Sequence, residues 1–277
     1  MEWHNEKGLR WRQLAPFGAE IDQDLAAPLS PEASARFVDL FAKHGLIVAR
    51  GQSLSRDRHD ALLALLGPIV PHREGEAGYI QSSGEAGAAG SELAFHADAA
   101  YTETPFEALS LHAVDVVDGA SSTQFIDAQA GLELLPEALR VRLADLQAEM
   151  VPGALDRLGA RTCDIPEFKS APNRRELPAI RLNRRTGRPY IAVSAMQTAG
   201  FAGLSWDEGR ALLSEIFDQL YAPDRIYEHV WHNGDVVIWD NVALQHARGN
   251  LASAGRRILQ RVIVGPHAHA TPYVRAA

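Results

Sequence analysis

One cysteine in 277 residues, Cys163, leaves no partner for an intrachain disulfide and excludes a zinc or iron–sulfur site built from thiolates. That scarcity suits a reducing, cytoplasmic setting. Positive charge is also short: 27 Lys and Arg face 35 Asp and Glu, a formal charge of -8. Nucleic acids and anionic membranes need a basic field, so neither is expected as a partner. Long apolar runs are missing as well. The opening MEWHNEKGLRWRQL carries no signal-peptide core, and no stretch approaches the roughly 20 apolar residues of a membrane span. No internal repeat or low-complexity domain is visible. What is there, 46% hydrophobic and 22% charged residues, is the balance of one globular domain over 1–277.

The chain punctuates itself with caps and turns. Ser30 and Pro31 open a helix with Phe37, Leu40 and Phe41 on one face, and Gly45 ends it. Leu46 to Ala49 reads as a strand, and a second helix starts near Ser55 and stops at Gly67-Pro68. Residues 81–91, QSSGEAGAAGS, are too small and glycine-rich to pack and read as a mobile loop. FEALSLHAVDVV and STQFID read as strands, followed by a helical region from about Gln129 to Met150 broken at Pro136. Residues 153–188 read as an irregular insertion with nine basic and four acidic side chains, a net of +5 in an acidic chain. It is either a solvated loop or a lid that attracts an anion. After PYIAV, Ser205 and Glu208 form a capping box for a helix to about Tyr221. IYEHVW, a turn at Asn233-Gly234, DVVIWD and RRILQRVIVG make the end strand-rich. Early helices and late short strands predict a mainly β chain with flanking helices, its core a double-sheet jelly roll.

Within SELAFHADAAYTETPF, His96 and Asp98 stand two apart, so in an extended chain their side chains share a face and converge on one ion. A third ligand must come from elsewhere. His229 and His232 flank a strand, His112 sits in an apolar strand pattern, and His267 and His269 lie in a Pro- and Ala-rich tail. His246, after an apolar strand and a turn in VVIWDNVALQHARGN, has a rim position suited to a ligand. Two histidines and one carboxylate on one side of a metal leave open positions, the arrangement of non-haem Fe(II) oxygenases. In RRILQRVIVG, Arg257, Leu259, Arg261 and Ile263 share one face of the strand. An arginine turned inward needs an anion, and a carboxylate is its natural partner. The two guanidinium stems stand roughly 13 Å apart at ~3.3 Å per residue, enough to grip two different anions. Surface ion pairs are the other reading of the same pattern.

These stretches, FHADAAYTETPF, WHNGDVVIWDNVALQH and RRILQRVIVG, with the early HGLIVARGQSL and LGPIV, resemble the taurine dioxygenase (TauD/TfdA) family of Fe(II)- and 2-oxoglutarate-dependent dioxygenases over about residues 15–265. The resemblance implies that His96, Asp98 and His246 are the iron ligands. It implies that Thr123 and Arg257, 27 positions after His96 and 11 after His246, hold the distal carboxylate of 2-oxoglutarate. Arg261 matches an arginine that takes the substrate's anionic group, and His72 matches a substrate-facing histidine. Where taurine dioxygenase carries an asparagine four residues before the first histidine, this chain has Glu92, and Ala192 replaces another family asparagine. Taurine itself is therefore not the expected substrate. Asp98 is present, which favours hydroxylation over halogenation.

The implied activity is hydroxylation of a small organic acid, a sulfonate, sulfate ester or carboxylate, using O2 and 2-oxoglutarate and releasing succinate and CO2. Desaturation, epoxidation or rearrangement would use the same ligands. A metal hydrolase would leave Arg257 and Thr123 without a purpose, and a non-catalytic anion-binding module would show no turnover. The loop 81–91 and the insertion 153–188 are the lid candidates, since closure keeps solvent from the reaction. The resemblance also implies a homo-oligomer, a dimer or tetramer.

Overall fold

The computed structural model describes residues 2–71, 78–82, 92–154, 157, 159–171 and 174–266. His72, the stretch 83–91 and the tail holding His267 and His269 lie outside the described residues. Three strands that the sequence reading did not foresee come first: β1 (His4–Glu6), β2 (Leu9–Gln13) and β3 (Ala19–Ile21). Helix α1 (Pro31–His44) follows, started by the Ser30 hydroxyl accepting from the Ala33 amide and closed by Gly45 at φ 67°, where a side chain would be strained. Then come β4 (Leu46–Ala49), α2 (Arg56–Leu63), β5 (Tyr79–Ser82), β6 (Leu93–His96), β7 (Ala108–Val116) and β8 (Ser122–Asp127). Residues 81 and 82, expected within the loop 81–91, instead complete β5.

The region from Gln129 to Met150 is not all helix. Pro136 separates α3 (Ala128–Leu134) from α4 (Glu137–Ala144), and Gln147–Met150 is strand β9. The stretch 153–188 is more regular than its composition suggests. It holds two 3-10 turns (Thr162–Asp164 and Pro166–Ser170), β10 (Arg175–Pro178) and β11 (Ile180–Leu182), with Cys163, Ile165, Leu177 and Ala179 buried. The chain ends with β12 (Pro189–Ile191), β13 (Thr198–Phe201), α5 (Trp206–Leu220), β14 (Tyr227–Val230), β15 (Val236–Asp240), β16 (Leu244–Arg248) and β17 (Arg257–Val264). Ser205 and Glu208 form the expected capping box.

Two sheets carry the architecture. An eight-stranded sheet runs β1-β2-β3-β4-β15-β7-β17-β5, and a four-stranded sheet runs β14-β8-β16-β6. Their facing side chains make one core, in which Leu111, Val237, Trp239 and Leu259 of the larger sheet meet Phe125, Tyr227 and Leu244 of the smaller. Period-two alternation sets this up. On β15, Val237 and Trp239 point between the sheets, while Val236 and Ile238 pack outward with Phe37 and Phe41 of α1. Outside the smaller sheet, α3, α5, β9 and β13 build a third cluster around Leu132, Met150, Phe201 and Phe217. On β17, Leu259 and Ile263 face inward and Val262 and Val264 outward, so Arg257 and Arg261 look into the space between the sheets. The protein is thus mainly β with flanking helices.

Candidate active site

Strand pairing brings the two predicted histidines together. β16 lies against β6 with His246 opposite His96, and their rings stand 4.2 Å apart. Phe125 and Trp239 wall the His246 ring at 6.3 and 5.1 Å. The Nδ1 of His96 lies 2.9 Å from the Ala94 carbonyl, which turns Nε2 toward Asp98. Asp98 Oδ1 is 3.4 Å from His96 Nε2 and 3.8 Å from His246 Nε2. The three ligand atoms lie within 4.8 Å of one another, the only such cluster among the described residues.

Asp98 reaches this position from a turn, with Ala99 at φ 60°, rather than from the strand itself. Buried Asn241 holds the turn: its Oδ1 accepts from the Asp98 amide at 2.8 Å, and its Nδ2 donates to the carbonyls of Asp98 and Phe106 at 2.9 Å each. Burial alone would raise the Asp98 carboxyl, but the hydrogen bond to His96 and the charges of His246, His96 and Arg261 outweigh it and hold it well below the usual carboxylate range. Burial, with His96 adding to it, pulls the His246 imidazole down to about 3. The Asp98 carboxylate and the neutral His246 imidazole are forms that bind a divalent cation.

A second cluster involves β8, the neighbour of β16, and β17 of the facing sheet. Thr123 is two residues from Phe125, the residue paired with His246, a step of about 7 Å at ~3.3 Å per residue. Its hydroxyl accepts from the indole N–H of Trp231 at 3.0 Å. The guanidinium of Arg257 lies 5.9 Å from the centre of the same indole. Arg257 is 2% exposed, and among the described residues its Nε and Nη1 are buried with no hydrogen-bond partner. Burial, reinforced by neighbouring Arg248, lowers it to about 10, so it remains a cation at neutral pH. A buried cation with open donors calls for an anion.

Known proteins share this chain's sequence pattern and fold. Residues 10–263 match the family described as taurine catabolism dioxygenase TauD, TfdA family. The chain belongs to this family. It is therefore a 2-oxoglutarate-dependent dioxygenase. It is 26% identical to the alpha-ketoglutarate-dependent 2,4-dichlorophenoxyacetate dioxygenase of Cupriavidus pinatubonensis, over 87% of this chain and 91% of that one. It is 27% identical to the (S)-phenoxypropionate/alpha-ketoglutarate-dioxygenase of Sphingobium herbicidovorans, over 84% and 86%. The fold matches a taurine dioxygenase structure from Burkholderia xenovorans with a TM-score of 0.75, 22% identity, and coverage of 93% and 90%.

In this TauD/TfdA protein, the other predicted residues fall in different places. Arg261 lies on the inward face of β17, half-buried, and its charge acts on Asp98. Glu92 is exposed and borders Gly159, where a Cβ would stand 3.0 Å from its own. Outside the predicted set, Phe95 and Phe201 belong to the core: Phe95 stacks on Tyr221 at 4.4 Å, and Phe201 packs near α5. His112 is buried with Nε2 on the Gln52 carbonyl, so it is no ligand.

Much of the basic charge in 153–188 is already engaged. Arg157, Arg161, Arg174, Arg185 and Arg188 pair with Glu167, Asp218, Glu149, Glu107 and Glu133. Arg181 instead donates to the carbonyls of Ala100, Thr102 and Glu103 at 3.2, 3.1 and 2.6 Å, gripping the segment that follows Asp98. Asn241, Trp231 and Arg181 escaped the sequence reading. Asn241 and Trp231 sit inside WHNGDVVIWDNVALQH, whose polar and aromatic residues between apolar positions were the available signal. Nothing local marks Arg181.

Proposed function

We propose that His96, Asp98 and His246 hold Fe(II), that Arg257 and Thr123 bind the distal carboxylate of 2-oxoglutarate, and that Arg261 takes the anionic group of a small organic acid. The enzyme hydroxylates that acid, using O2 and releasing succinate and CO2. The observation that carries this reading is the buried guanidinium of Arg257, whose Nε and Nη1 have no partner among the described residues, in a chain that also holds a three-ligand cluster. A hydrolase needs the cluster but not the pocket.

The residues present fit the metal: two imidazoles and a carboxylate occupy one side and leave the other open. When bound, iron supplies the redox chemistry that couples oxidative decarboxylation of 2-oxoglutarate to oxidation of a substrate C–H bond. The chain's own part is orientation. His96 is fixed by its Nδ1 on the Ala94 carbonyl, and Asp98 by Asn241, so the ligand atoms are set before anything binds. Arg257 and Thr123 fix the far end of the cosubstrate, and the aromatic wall of Phe125 and Trp239 keeps water from that side of His246. Arg261, on the same face of β17 but nearer solvent, is free to meet a second anion. The relatives named for phenoxyacetate and phenoxypropionate support a carboxylate there. The facing sheets are read as a double-stranded β-helix, and the assembly as a cytoplasmic homodimer or homotetramer, which light scattering on purified protein will check.

The test is anaerobic titration of the purified apoprotein with Fe(II) and then 2-oxoglutarate, following the visible charge-transfer band of the chelate. Wild type is expected to develop the band, and Arg257→Ala to need far more 2-oxoglutarate. A screen of organic acids by succinate release then finds the substrate. Bound iron with no band in wild type would sink the assignment.

A further inference from the structure

We infer that Trp231 is a positioning residue of the anion pocket, fixing the Thr123 hydroxyl and the Arg257 guanidinium so that both meet one carboxylate. The inference rests on the proposed binding of 2-oxoglutarate by those two residues and assigns the pocket's organisation to a third.

An indole N–H only donates. Fully buried Trp231 places it on Thr123 Oγ1 at 3.0 Å. A threonine hydroxyl that accepts from an indole has its own hydrogen left to give, and among the described residues no acceptor takes it. Thr123 is thereby set as a donor toward the pocket, and accepting one hydrogen bond strengthens the one it donates. The indole does a second thing. Its ring lies 5.9 Å from the Arg257 guanidinium carbon, within cation–π range, beside a cation whose Nε and Nη1 are otherwise open. One side chain thus touches both groups.

The indole cannot swing away. Its backbone amide donates to the Ser121 carbonyl at 3.0 Å, and its carbonyl accepts from Gly119 at 2.9 Å. The buried ring of His229 stands edge-on to it, with centroids 4.5 Å apart and planes at 77°. Asp235 Oδ2 lies 3.1 Å from His229 Nε2 and pairs with Arg50 at 2.6 Å. A tryptophan kept only to fill space would need none of this polar anchoring.

The test separates packing from positioning. Protein loaded with Mn(II) without oxygen is titrated calorimetrically with 2-oxoglutarate and with pyruvate, a 2-oxo acid lacking the distal carboxylate. Trp231→Phe keeps an aromatic face and loses the N–H. It is expected to weaken 2-oxoglutarate binding about 5- to 10-fold while leaving Mn(II) and pyruvate binding unchanged. In a Thr123→Val background the same change is expected to have no further effect. Should the phenylalanine variant fold poorly, β-(3-benzothienyl)alanine at position 231 keeps the indole's shape without its N–H, and the same weakening is expected. If 2-oxoglutarate affinity stays within about twofold of wild type while Arg257→Met lowers it severely, the role of Trp231 is refuted and the pocket stands. If Arg257→Met also leaves binding unchanged, the pocket assignment falls, and the inference with it.

Discussion

Arg257→Met should make the free protein more stable and the loaded protein less so. In the free chain the guanidinium is buried with Nε and Nη1 unpartnered among the described residues, and Arg248 adds repulsion. Each buried polar group without a partner costs about 1–3 kcal/mol. Methionine keeps a flexible apolar stem of similar reach and removes those groups. Against this stands the lost contact with Trp231, worth about 0.5–2 kcal/mol. Two such groups cost roughly 2–6 kcal/mol, so the balance is a gain of up to about 5 kcal/mol, or several degrees at ~2–4 °C per kcal/mol for a chain of this size. Binding goes the other way. Removing one partner of a buried charge pair costs about 2–5 kcal/mol, at least 30-fold in affinity.

The assay is a thermal melt of Mn(II)-loaded protein under argon, with and without 2-oxoglutarate. At 100 times its dissociation constant the cosubstrate should stabilise wild type by about 2.7 kcal/mol, and the variant at the same concentration by at most about 0.9 kcal/mol. Adding 2-oxoglutarate therefore shifts the difference between the two melting curves toward wild type by roughly 2 kcal/mol or more. A variant that melts several degrees lower when free, yet keeps the full shift with 2-oxoglutarate, would show that Arg257 is a structural strut and refute the reasoning.

Asn241→Ala leaves the Asp98 amide and two buried carbonyls without their partner, so urea unfolding should show a loss of about 3 kcal/mol, and titration should show metal affinity at least tenfold lower. Asp98→Asn keeps the shape of the cluster but removes its negative charge, so metal affinity should collapse while the metal-free protein melts close to wild type. Arg181→Gln releases three carbonyls after Asp98; substrate KM should rise and cleavage between residues 99 and 106 quicken, with 2-oxoglutarate affinity unchanged. His59, fully buried between Gln260 and Ser110, is pulled from 6.5 to about 3, chiefly by burial. The unfolded chain therefore binds a proton that the folded one refuses between those values. Stability is complete above about pH 6.5 and falls as the pH drops toward 3, with the His59 share near 2 kcal/mol at pH 5. Urea midpoints at pH 7 and 5 should differ by that much less in His59→Gln, and an unchanged difference would show that the burial argument is wrong.

Short-range signals were the legible part of the sequence. Ser30 with Gly45, and Ser205 with Glu208, mark helix ends by chemistry that acts within one turn, and the structure keeps both. The alternation in DVVIWD and RRILQRVIVG likewise placed Arg257 and Arg261 on the face of Leu259. What failed depended on partners distant in the chain. Gln147–Met150 looks helical in isolation but is a strand because β10 and β13 flank it. The cations of 153–188 read as a free field, yet most answer carboxylates or carbonyls elsewhere in the fold. Asp98 was placed on the strand with His96, whereas Asn241, 143 positions away, bends it into a turn.

Arg257 and Arg261 stand four residues apart on one face of one strand, and their surroundings differ more than their separation. Arg257 is sealed under Trp231 with its charge already desolvated, so on the proposed reading it contributes most to an anion that fits without water. Arg261 is half-buried and feels Asp98. Water screens its charge more, so an anion there gains less and can vary more in shape. A fixed cosubstrate and a changeable substrate require that difference. It follows that substitutions at Arg261 should alter which acid is accepted while leaving the 2-oxoglutarate titration where it was, whereas substitutions at Arg257 should abolish turnover of every acid alike.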